Sequence, residues 1–194
     1  MIEDLLADLA RTPWALLLLA GLVVGDAFLV LIPGEVAVTA YGALAVSTGS
    51  PALAAVIAVA ALAALIGDLG CYGLGRWAGL ERWRWMRRQP VQAALISARA
   101  RLSRRMAVVL FTARFIPFAR LAVNLSAGAS RLPLARFTGI AGAAALGWAA
   151  YQAIIGATVA AIVPGGPVVG VIVSVAVAIS LGLAIDALLV RRAR

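Results

Sequence analysis

The sequence predicts an all-α polytopic membrane protein, and three observations carry that expectation. Of its 194 residues 64% are hydrophobic and 13% charged, and the mean hydropathy of +1.03 lies far above that of a soluble globular domain. The apolar residues fall into runs comparable to the about 20 helical residues that cross a bilayer core. The charges are clustered, with nine of the seventeen arginines between Arg76 and Arg105 and Glu81 the only acid among them. The architecture expected is two oppositely facing re-entrant helical hairpins plus about four transmembrane helices, with a cytoplasmic amphipathic helix, in a single membrane domain over residues 1–194.

The first apolar run, 14–32, is long enough to cross once and is interrupted by Asp26. Met1-Ile2-Glu3-Asp4 lacks the basic start of a secretory signal, so the run is expected to be retained. After Pro33-Gly34-Glu35 comes an uncharged run, 36–49. It is short for a span and suits a re-entrant segment, placed at about 33–50. The third run, from Pro51 to about Gly75, can cross and contains Asp68.

A basic loop, 76–105, follows. Its nine arginines and one acid give it a charge of +8, which the positive-inside rule assigns to the cytoplasm, close to anionic headgroups. Trp83 and Trp85 alternate with Arg82 and Arg84, ahead of Arg87 and Arg88, the composition of a headgroup-level belt. From 91 to 105, Val91, Ala94, Leu95, Ala98 and Leu102 recur at helical spacing, with Gln92, Arg99 and Arg104 elsewhere on the wheel. That pattern fits an amphipathic helix on the cytoplasmic surface. It fits a solvated helix packed beneath the membrane domain equally well.

Residues 107–131 contain Arg114, Pro117 and Arg120. Were they a simple crossing, Arg131, Arg136, Arg191, Arg192 and Arg194 would all face outside. A segment that enters and leaves on the cytoplasmic side keeps all five inside, so it is read as the second re-entrant hairpin. Two apolar runs follow, about 137–163, which is uncharged, and 167–190, which contains only Asp186, joined by Pro164-Gly165-Gly166-Pro167, a strong turn signal. Both termini are then cytoplasmic. Each half thus holds a proline-broken apolar segment with ionisable residues followed by a long span, a pattern that points to a central binding site in transporters.

Composition also excludes. The chain has no histidine and one cysteine, Cys71. Zinc chemistry, histidine-based hydrolysis and an internal disulfide drop out, and no nucleophile stands beside a recognisable base. No catalytic residue, metal or cofactor is expected. The net charge of +9 implies no nucleic-acid partner, because the basic segment is flanked by apolar runs.

An ionisable side chain at a helix centre in the bilayer costs about 2.5 to 3.5 kcal/mol on the insertion scale, so Asp26, Glu35, Arg114 and Arg120 are the informative residues. Two acids and two arginines make a neutral set. They either fix the packing of the hairpins or form a site. Arginine suits phosphate because its planar fork makes two parallel charge-assisted hydrogen bonds. Arg114 and Arg120 do not share one face of an unbroken helix, but a segment broken at Pro117 can turn both to one cavity. Apolar surroundings favour a protonated carboxyl and a nearby arginine favours a charged one. Asp26 and Glu35 are therefore the candidates for proton coupling. Asp68 belongs either to the site or to a structural polar contact. Gly67, Gly75 and Gly79 are read as permitting close helix packing. Tyr41 and Asn124 are positioned to add hydrogen bonds, and Asp186 is read as interfacial.

Phe111-Thr112-Ala113-Arg114-Phe115-Ile116-Pro117-Phe118-Ala119-Arg120, followed by Ala127-Gly128, Phe137 and Gly147-Trp148, closely resembles the signature of the DedA family, whose domain is also called SNARE-associated or VTT. Asp26 with Ile32-Pro33-Gly34-Glu35 resembles the family's acidic residue and Pro-Gly-acid turn. Gly67-Asp68, Tyr72, Gly75-Arg76 and Gly79 resemble its glycine-rich stretch. The likeness covers about residues 20–160. It implies two facing re-entrant hairpins, essential acids at Asp26 and Glu35, and essential arginines at Arg114 and Arg120. Asp26 stands where glutamate is common in the family, one methylene shorter. Bacterial members are implicated in recycling polyprenyl phosphates and eukaryotic relatives in lipid scrambling.

The function expected is therefore translocation of a phosphorylated polyprenyl lipid, similar to undecaprenyl phosphate, across a bacterial cytoplasmic membrane, coupled to protons. Arg114 and Arg120 would bind phosphate, with membrane lipids and the polyprenyl phosphate as partners and the oligomeric state open. Two other readings remain: a proton-coupled small-ion exchanger and a non-specific phospholipid scramblase.

Overall fold

A computed structural model of the chain describes residues 12, 14–29, 34–78, 106–115, 119–163, 168–177 and 180. Every regular element among them is helical. In chain order these are α1 (Trp14–Phe28), α2 (Gly34–Ser47), α3 (Leu53–Ala78), α4 (106–112), a 3-10 turn (Ala113–Phe115), α5 (Ala119–Ala129), α6 (Leu134–Ile162) and α7 (Val168–Val177). The basic loop beyond Ala78, the amphipathic helix at 91–105, the turn at 164–167, Asp186 and most of the last run lie outside the described residues.

The long runs become α3 and α6. Among the described residues these two helices are long and apolar enough to cross a membrane. Only 33% and 39% of their most apolar windows are buried inside the protein, whereas a core helix of a soluble protein would be mostly covered. Leu62, Ile66, Leu74, Leu146 and Ile154 are exposed along them, as suits surfaces that lipid covers. The 36–49 run is a short helix of 14 residues, α2. It stops where Gly49 takes a φ of +73°, the left-handed conformation with which helices commonly end.

In the 107–131 segment the described residues leave α-helical geometry ahead of the proline. α4 tightens into the 3-10 turn at Ala113–Phe115, and α5 is described from Ala119. Proline lacks the backbone N–H and clashes with the preceding turn. α5 ends in a Schellman motif, with Leu132 N donating to Ala127 O (3.2 Å) and Arg131 N to Gly128 O (2.9 Å). Arg131 holds the left-handed position with φ +52°.

The chain divides into two compact units, Met1–Ala64 with Ala145–Arg194, and Leu65–Ala144. In the first, α1 packs on α2, and α2 meets α6 at glycines. A β-carbon on Gly42 would come within 2.8 Å of Ala153 Cα, and one on Gly156 within 2.9 Å of the Thr39 carbonyl carbon. Beside this crossing Thr39 Oγ1 donates to Gln152 Oε1 (3.1 Å), and Ser174 of α7 donates to Gly156 O (3.0 Å).

The second unit repeats that device. A β-carbon on Gly75 of α3 would come within 2.8 Å of the Leu125 carbonyl carbon, and one on Gly128 of α5 within 2.7 Å of the Tyr72 carbonyl carbon. Small residues let helix backbones approach closely where lipid gives no hydrophobic drive for association. Tyr72, Met106, Leu110, Ala127, Phe137 and Ala141 form the core of this unit. The Tyr72 and Phe137 rings stack with centroids 4.6 Å apart.

Candidate substrate-binding site

The 3-10 turn and the start of α5 carry the two signature arginines, and both side chains reach one point. Arg114 lies in the 3-10 turn and Arg120 in the first turn of α5. Both reach Asp68 on α3. Arg114 Nη2 donates to Asp68 Oδ2, and Arg120 Nε donates to Oδ1 at 2.9 Å. Asn124, one turn beyond Arg120 on α5, donates from Nδ2 to the same Oδ1 at 2.8 Å. A longer contact of 3.5 Å runs from Arg114 Nη2 to the carbonyl of Ala141 on α6.

The close approach of α3 and α5 at Gly75 and Gly128 makes these bonds possible. The side chain of Asp68 is 3% exposed and that of Arg114 also 3%, while that of Arg120 reaches 13%. Ionised groups so buried persist only when paired and hydrogen-bonded. Removing one partner of such a pair typically costs about 3 to 5 kcal/mol, so the three charges form an interdependent set.

Asp26 and Glu35 belong to the other unit. Asp26 is half-buried near the end of α1, and its carboxylate lies against Gly34, 3.0 Å from where a β-carbon there would stand. Glu35 is in the first turn of α2. A helix N-terminus favours negative charge, which gives the Pro-Gly-acid turn a physical reason. Tyr41 is half-buried on α2, and Cys71 is buried on α3 with a free thiol.

Asp68 is thus the carboxylate that receives both arginines. A lone acid inside a 25-residue apolar span signals a required partner, and that signal was present in the sequence. Which arginine it meets was not. Asn124, expected from its position to add a hydrogen bond, does so at Asp68; its i+4 spacing from Arg120 puts the two on one helix face. The Ala141 carbonyl left no sequence signal.

An open cleft of about 530 Å³ runs between α4 and α6. Val108, Phe111 and Thr112 line one side, and Gly139, Ile140 and Ala143 the other. Its surface is almost wholly apolar, and Thr112 is two residues from Arg114.

A helical membrane protein in which two arginines of one segment close on a buried carboxylate is the class this architecture defines. Residues 32–158 match the VTT domain, and the chain belongs to that family, the DedA or SNARE-associated family. No curated protein and no solved structure matches the chain.

Proposed function

We propose that this protein translocates a phosphorylated polyprenyl lipid, similar to undecaprenyl phosphate, across a bacterial cytoplasmic membrane, with proton coupling. One observation carries the reading: Arg114 and Arg120 are held together on one anion inside an apolar helical domain. A guanidinium pair preorganised around an oxyanion is suited to another oxyanion of similar geometry, and arginine remains charged when partly desolvated. An amphiphile would place its phosphate at the arginines and its isoprenoid tail in lipid or along the apolar cleft between α4 and α6.

In this reading 33–50 and 107–131 are re-entrant hairpins from opposite faces, the loop 76–105 is cytoplasmic, and both termini lie inside. Asp26 and Glu35 take up and release protons as the phosphate site fills and empties. The reaction makes and breaks no covalent bond, so no catalytic residue or cofactor is invoked.

The test is transport by purified protein in liposomes loaded with a polyprenyl phosphate, read as appearance of the phosphate on the opposite leaflet with and without a pH gradient. Transport is expected to exceed that of empty liposomes, to respond to the gradient and to vanish in a folded Arg114→Gln/Arg120→Gln variant. Movement of ordinary phospholipids that ignores the arginine substitutions would favour a non-specific scramblase. Proton flux indifferent to polyprenyl phosphate would favour an ion exchanger.

A further inference from the structure

We propose that Asp68 is the resident anion of the arginine pair, and that the phosphate of the substrate takes its place, so that carboxylate and phosphate are alternative partners of Arg114 and Arg120. The proposal rests on the phosphate reading above and assigns to that site a residue that sets which anions enter it.

Three features of the site support this. Asp68 uses both carboxylate oxygens on the pair, Oδ2 for Arg114 and Oδ1 for Arg120 and Asn124. It therefore occupies the oxyanion positions that the two guanidiniums converge upon. These donors come from different elements, the 3-10 turn and α5, and the acceptor from a third, α3. Exchange of the anion would then replace the hydrogen bonds that tie these two elements to α3 through Asp68. Arg120 is also the more accessible of the two, at 13% against 3% for Arg114, so an incoming anion meets it first.

The energetics favour exchange over simple capture. A buried arginine stripped of its anion is strongly unfavourable, so a low-dielectric site that waits for an anionic substrate is stabilised by one of its own. As phosphate arrives, Asp68 gives up the guanidiniums. As phosphate leaves, Asp68 returns, so neither step leaves the cations bare, and while phosphate is bound the released carboxyl is protonated or hydrated. The competition also selects. A phosphomonoester carries about −1.5 to −2 charge near neutral pH with three oxygens. It can replace a singly charged carboxylate on two arginines, whereas a phosphodiester headgroup has one negative charge and fewer terminal oxygens. The site therefore prefers lipid monophosphates to ordinary phospholipids.

The test compares binding of farnesyl phosphate, and in parallel inorganic phosphate, to the detergent-purified wild type and to Asp68→Asn, which keeps the shape and loses the charge. The expected result is tighter binding in Asp68→Asn by about tenfold or more, the scale of one charge-assisted hydrogen bond. An accompanying Arg120→Gln is expected to abolish the gain. A response to farnesyl phosphate alone marks a lipid ligand, and a response to both marks the phosphate group itself; either supports displacement. Equal or weaker binding in Asp68→Asn, with the wild type binding normally, overturns the proposal and leaves the phosphate reading standing. If neither protein binds either probe, both fall together.

Should Asp68→Asn not fold, infrared difference spectra of the wild type decide. With carboxyl-labelled aspartate, farnesyl phosphate is expected to shift a carboxylate stretch, and the shift is expected to persist in Asp26→Asn. A spectrum without that shift overturns the proposal.

Discussion

At Asp68 a carboxylate that the bilayer should exclude is held by three donors on residues 46, 52 and 56 positions away in sequence. The residues whose chemistry was legible were those with a high cost of burial, because a charge in an apolar run must be compensated. Their partners were not legible, since any arginine in the second half could have satisfied either an acid of the first broken segment or Asp68. The fork at these arginines is testable. Arg114→Lys keeps the charge and loses planar two-point binding, so transport of polyprenyl phosphate in liposomes is expected to fall by about tenfold or more, with the variant still folded. Transport at the wild-type rate would rule out two-point phosphate binding.

At the level of elements, the 107–131 segment shows how far local sequence rules reach. Pro117 predicts a break, and α4 loses α-helical geometry at Ala113–Phe115, ahead of that proline. The direction in which Arg120 points is decided by what α5 packs against. Gly75 and Gly128 decide that, because no β-carbon fits where α3 and α5 touch. Gly128→Ala would drive a β-carbon into the Tyr72 backbone and to 2.9 Å from Arg76 N. The expected loss is about 1 to 3 kcal/mol or more, read as a lower midpoint of thermal unfolding in detergent, together with loss of transport as Arg120 moves off Asp68. An unchanged midpoint would show that the crossing has room.

The end of α5 predicts the opposite sign. Arg131 occupies the left-handed position of the Schellman motif, where a β-carbon is penalised by about 1 to 2 kcal/mol and glycine is not. Arg131→Gly is expected to raise the unfolding midpoint, and a lower midpoint would mean that the side chain contributes more than its backbone costs.

On the scale of the whole molecule, each compact unit packs a short helix against a long one through reciprocal glycine contacts, with a polar pair close by. Gly42 and Gly156 flank Thr39 and Gln152 in one, and Gly75 and Gly128 flank Asp68 and Asn124 in the other. Both units thus use the same packing device, although the halves share little sequence. The polar pairs differ in kind, neutral in one unit and ionic in the other, which concentrates the charged chemistry in the unit that carries the arginines. The membrane topology is testable at the same scale. In a Cys71→Ala background, Gly166→Cys is expected to react with an impermeant thiol reagent from the outer face alone. Labelling from the cytoplasmic face alone would invert the proposed topology.

By itself the sequence determined the class of the protein, its two long apolar helices, the loss of α-helical geometry ahead of Pro117 and the residues whose burial demands explanation. Those follow from quantities local to the chain, namely apolar run length, the missing N–H of proline and the desolvation cost of each charge. Only the tertiary structure decided that Asp68 receives both arginines, with Asn124 beside it. Pairing depends on which backbones can approach across some fifty residues of intervening chain, and that is set by the contact surfaces of folded helices.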